Sequence, residues 1–69
     1  MIYAKIGYRV HGGELIATDW YLFDRELVTP QGFVVGYNAA SRAVRAELIA
    51  VSTDKPREGY RTLEFIDGT

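Results

Sequence analysis

The feature that most constrains this chain is Gly12-Gly13, set between two runs in which apolar and polar residues alternate. Alternation with period two marks a strand with one face on a core, and two glycines between such runs mark a tight hairpin. Both central positions of a type I′ turn need φ > 0, which only glycine takes without cost. With Gly12 and Gly13 as the loop, His11 faces Glu14. Pairing then runs outward through Val10 with Leu15, Arg9 with Ile16, Tyr8 with Ala17, Gly7 with Thr18 and Ile6 with Asp19. It continues with Lys5 facing Trp20, Ala4 facing Tyr21, Tyr3 facing Leu22 and Ile2 facing Phe23.

This register sorts the side chains. One face carries Ile2, Ala4, Ile6, Tyr8, Val10 and their partners, apolar throughout except for Asp19. The other face is mixed and holds Tyr3, Lys5, Arg9, Trp20 and Leu22. A slip of one residue would exchange the faces of one strand and spoil the apolar set. A bulge near Asp19 would turn Trp20 inward.

Sixty-nine residues make a single compact domain, residues 1–69. A chain of this size buries only ~60% of its unfolded surface, so a partner or a second copy could supply missing burial. Eight basic and nine acidic residues leave a net charge of −1, without the basic excess expected of a nucleic-acid binder. There is no cysteine, hence no disulfide framework and no thiolate metal site. No apolar run approaches the ~18 residues of a membrane span, and the N-terminus has no basic region leading into an apolar segment. The expected location is cytoplasmic, with no membrane partner.

Beyond the hairpin, Thr29-Pro30-Gln31-Gly32 reads as a turn, because proline presets φ and glycine relieves the steric limit. A helix over residues 19–28 capped by Thr18 is the alternative for the stretch before it. Residues 32–37 read as a third strand with Phe33, Val35 and Tyr37 on one side. Asn38 then caps a short helix over residues 39–46, where alanine and arginine are good formers. Residues 47–52 read as a strand, apolar on both faces from Leu48 to Val51 and therefore central, with the last strand beside it. A continuous helix over 39–51, or a strand beginning near Arg42, competes for the same stretch. Residues 53–59 are a solvated loop, and residues 60–66 are the last strand, with Leu63 and Phe65 on one face. The expected fold is α+β, a mostly antiparallel sheet of four or five strands with one short helix. A small, partly open β-barrel is the alternative.

No set of residues prescribes a reaction. His11 lies in the hairpin turn, where the register offers only Glu14, as a surface ion pair worth ~0.2–1 kcal/mol. His11-Gly12-Gly13 has the form of some esterase oxyanion loops, but no Gly-x-Ser-x-Gly accompanies it. Asp19 on the apolar face needs a partner, such as Arg42 or Arg45, or a shifted pKa. Ser41 and Ser52 have no base nearby in sequence, and the carboxylate spacing matches no calcium loop. The expectation is a non-enzyme with no catalytic residue, no metal and no cofactor.

The mixed hairpin face is the candidate functional surface. Lys5 opposite Trp20 makes a cross-strand cation–π pair, and Tyr3 opposite Leu22 extends it toward Arg9 and Ile16. Trp, Tyr and Arg are the residues that anchor protein–protein contacts. Tyr3, Lys5, Arg9, Trp20 and Leu22 are thus the expected partner-binding residues. They would serve an adaptor or inhibitor that binds a protein partner or its own copy. A nucleic-acid module using the same aromatic and basic face is the alternative. The run from Gln31 to Tyr37 fits the RNA-recognition sheet motif only at Gly32-Phe33.

Overall fold

The computed structural model describes residues 1–63. Within them the chain forms β1 (Ile2–Val10), β2 (Leu15–Phe23), α1 (Pro30–Ala40), β3 (Val44–Ser52) and β4 (Arg61–Thr62). The strands make one sheet in the order β3-β1-β2-β4, antiparallel except between β2 and β4. This is the expected α+β architecture. Its two edge strands are not neighbours, so the sheet is open and the barrel alternative is set aside. No helix among the described residues is long and apolar enough to cross a membrane.

The hairpin register holds from Ile2↔Phe23 to Tyr8↔Ala17, and Asp19 sits opposite Ile6 as expected. It slips at the turn. Gly13 N–H donates to Val10 O at 2.7 Å, closing a turn in which Gly12 alone has positive φ, at 73°. A positive φ at the third position only is the pattern of a type II turn rather than type I′. The chain absorbs the change as a bulge at Ile16, so Arg9 pairs with Leu15, and Val10 N–H reaches Glu14 O at 3.4 Å. The expected pairs Arg9 with Ile16, Val10 with Leu15 and His11 with Glu14 are therefore replaced. Leu15 moves to the face of Arg9.

The helix lies earlier than the sequence suggested. Residues 19–28 form no helix; after β2, Leu27 and Val28 donate to Asp24 O, and Asp24 Oδ1 accepts from Glu26 N–H. Thr29-Pro30 is not a turn leading into a strand but a helix start. Thr29 Oγ1 accepts from Gly32 N–H at 3.0 Å and Pro30 occupies the first turn, where its missing N–H costs nothing. Residues 32–37 are therefore helical, and Phe33, Val34 and Tyr37 share the buried face. Asn38 lies within α1 rather than capping a later helix. The chain is extended again from Val44, so neither a helix over 39–46 nor one over 39–51 forms.

β3 pairs with β1 and is an edge strand, not a central one beside the last strand. Of the expected last strand, only Arg61–Thr62 is extended and pairs, in parallel, with Tyr21 and Leu22; Tyr60 and Leu63 flank it outside the strand, and residues 64–66, with Phe65, lie outside the described residues.

α1 covers one face of the sheet. Ala4, Ile6, Phe23 and Ala46 are buried there, with Val28, Phe33, Val34 and Tyr37 packed on them. Full burial of a side chain such as Phe23 or Ile6 is worth about 1.5–3 kcal/mol. The two alanines let the helix approach closely. The rings interlock: Phe33 lies 5.7 Å from Phe23 and 5.8 Å from Tyr21, and Tyr37 lies 5.4 Å from Tyr8.

Asn38 fixes the helix to the sheet edge. Its Nδ2 donates to Ala46 O at 3.0 Å and its Oδ1 accepts from Ala46 N–H at 2.7 Å, as a neighbouring strand would. Both groups of Ala46 point away from β1, and Asn38 satisfies them. Asn38→Ala is expected to cost about 1–3 kcal/mol in urea unfolding and to speed hydrogen exchange at the Ala46 amide. Unchanged exchange there would mean that the edge does not depend on Asn38.

Candidate functional site

The strand register sends Tyr3, Lys5, Gly7 and Arg9 of β1 to the face opposite α1, with Trp20 and Leu22 of β2 beside them. All five expected partner-binding residues lie on this face, and the pairs Lys5↔Trp20 and Tyr3↔Leu22 form. From β3 the same face receives Arg45, Glu47 and Ala50.

Gly7 is at its centre. The register of β1 with β3 shifts between Lys5 and Ile6, leaving Ile49 as the extra residue. A Cβ built on Gly7 would lie 2.5 Å from Ile49 Cδ1 and 2.9 Å from Leu15 Cδ1. The glycine leaves room for the tips of both side chains to lie over the strand, and Gly7 is buried beneath them on an otherwise open face. Leu15 and Ile49 themselves remain 43% and 45% exposed. The result is an aliphatic saddle open to solvent among the described residues.

Two rims flank the saddle. On one side the Arg9 guanidinium is held twice, Nη1 donating to Gly13 O at 3.2 Å and Nη2 to Glu47 Oε1 at 2.9 Å. On the other, the loop between β3 and β4 folds over the sheet. Trp20 Nε1 donates to Glu58 Oε2 at 2.9 Å, and the Tyr60 ring stands edge-on to Tyr3, centroids 5.0 Å apart. Among the described residues the cation over an aromatic ring is Lys55, 5.8 Å from the Tyr60 centroid, not Lys5 over Trp20 as expected. Trp20 directs its N–H to the loop carboxylate instead.

The remaining candidates fall elsewhere. Asp19 is on the helix side, and its partner is Arg61 at 3.6 Å, not Arg42 or Arg45. Both side chains are well exposed, so this is a surface pair of ~0–1 kcal/mol and Asp19 needs no buried partner. His11 is exposed in the turn, where its backbone N–H donates to Ala43 O. Ser52 Oγ is engaged with the backbone of Asp54, and Ser41 Oγ accepts from Val44 N–H. Among the described residues no three His, Cys, Asp or Glu side chains gather to hold a metal.

The sequence reading missed Ile49, Glu47, Glu58 and Tyr60, and placed Leu15 on the wrong face. Gly7 was the available signal, since a glycine within a strand marks close approach. No protein-family model matches the chain, and comparison with curated proteins and with solved structures returns no match.

Near Asp19, Tyr8 and Tyr21 share a hydrogen bond of 2.8 Å between their hydroxyls. Burial pushes the Tyr8 phenol well above its ordinary value, aided by this bond and by the nearby Tyr37 and Asp19. In the unfolded chain Tyr8 titrates near ~10, so above that pH the unfolded state loses a proton that the folded state keeps. The contribution of Tyr8 is therefore full below about pH 10 and declines as pH rises beyond it. Urea unfolding is expected to show stability falling above about pH 10, with a shallower fall in Tyr8→Phe. Equal slopes in the two proteins would contradict this.

Proposed function

We propose that this chain is a small, non-enzymatic binding protein that docks a protein partner, or its own copy, on the sheet face opposite α1. One observation carries the reading. The helix covers one face only, and the middle of the other holds two exposed aliphatic side chains over a glycine. Tyr3, Lys5, Arg9, Trp20 and Leu22 surround that saddle. Exposed aliphatic surface with an aromatic and arginine border is the composition of a protein-binding patch. A cytoplasmic adaptor or inhibitor of this kind would act by occupying a surface.

The nucleic-acid alternative has less support. Tyr3 already packs edge-on against Tyr60, Trp20 is tied to Glu58, and Arg9 is paired with Glu47. Bases and phosphates would have to displace these contacts.

Ile49→Ser shortens one side of the saddle at an exposed site, and about 0.5 kcal/mol or less of stability is expected to be lost. Immobilised on resin, it should retain the partner from an extract of its source cells at least about 10-fold more weakly than the parent chain. Val35→Ser, on the exposed side of α1, should retain it unchanged. If the partner is the chain's own copy, sedimentation over a concentration series reads the same difference. Loss with Val35→Ser and not with Ile49→Ser would move the docking surface to the helix.

A further inference from the structure

The charges around the saddle bear on what could dock there. The open face and its loop carry Lys5, Arg9, Arg45, Lys55 and Arg57 against Glu47, Asp54 and Glu58, although the whole chain has a net charge of −1. Arg9 and Arg45 are direct cross-strand partners. Like charges placed opposite each other on a sheet are destabilising, and among the described residues Glu47, bound to Arg9 at 2.9 Å, makes an ion pair with only one of them. A carboxylate arriving from outside would relieve the other. We propose that the open face takes an acidic protein segment, aliphatic at its centre, with its carboxylates on Arg45 and Lys5 and its aliphatic side chains on the Leu15–Ile49 saddle.

This inference rests on the docking reading above and narrows it. A second copy is a poorer occupant, because face-to-face packing would set this positive excess against itself. A nucleic acid is poorer too. The saddle is aliphatic rather than aromatic, so it offers bases no ring on which to stack.

The test titrates the full chain, with Leu, Ile and Val methyl groups followed by NMR. The probes are an alternating glutamate–leucine hexapeptide, its lysine–leucine counterpart and a ten-nucleotide oligothymidine. The glutamate–leucine peptide is expected to shift the Leu15 and Ile49 methyls and to bind at least about 10-fold more tightly than the lysine–leucine peptide. Arg45→Gln should reduce that preference and Arg45→Glu should abolish or reverse it. Unshifted Ile6 methyls in the free variants would show that both remain folded. Equal or tighter binding of the lysine–leucine peptide at the same methyls would overturn the acidic partner while leaving the docking face. Shifts confined to α1 residues such as Val35, or no binding of either peptide, would overturn both. Preference for the oligothymidine would replace the protein partner with a nucleic acid.

Discussion

A four-stranded sheet has two faces to satisfy, and among the described residues there is one helix, of eleven residues, to cover them. The rest of the structure follows from how that helix is spent. α1 lies over the face where Ala4, Ile6, Phe23 and Ala46 converge, and Asn38 fixes it there by taking both backbone groups of Ala46. That single side chain does two things. It holds the covering layer in place, and it closes part of the β3 edge that would otherwise invite another strand. The opposite face is left to a loop, which reaches Tyr3 and Trp20 through Tyr60 and Glu58 and stops short of Leu15 and Ile49.

Much of the hairpin was legible because a strand's period of two leaves little freedom once one face must be apolar. Ile2, Ala4, Ile6 and Tyr8 fixed the register up to Ala17. Near the turn the register slips, since one positive φ instead of two cannot be read from two glycines in a row. The helix was misread for a different reason. Thr29-Pro30 is as good a helix start as it is a turn, and Phe33-Val34-Val35-Gly36-Tyr37 is poor in helix formers. What decides is the sheet surface waiting for Phe33, Val34 and Tyr37 together, a long-range demand that outweighs local propensity. The same demand makes an extended edge strand of the alanine- and arginine-rich stretch that follows.

The candidate site was legible in outline. Lys5 opposite Trp20 and Tyr3 opposite Leu22 are consequences of register alone. The saddle was not, because both of its side chains depend on bulges: the one at Ile16 turns Leu15 onto the open face, and the one at Ile49 brings that residue over Gly7. A bulge shifts a side chain by one position relative to the pattern, and a periodic reading has no means to anticipate it. The ion pair of Arg9 with Glu47 likewise joins residues 38 positions apart, which only the β1–β3 pairing brings together. The charged residues of the open face thus belong to a different arrangement from the Lys5–Trp20 cation–π pair that the hairpin suggested.

The central claim is that the Leu15–Ile49 part of the face opposite α1 is uncovered in the free protein and available to a partner. Relaxation of methyl resonances by a soluble gadolinium chelate, at dilute protein concentration, tests it most directly. The account predicts strong enhancement at the Leu15 and Ile49 methyls and almost none at Ile6, which is fully buried beneath α1. Leu15 and Ile49 methyls shielded to the same degree as Ile6 would mean that this face is closed in solution, and the proposed docking surface would be lost.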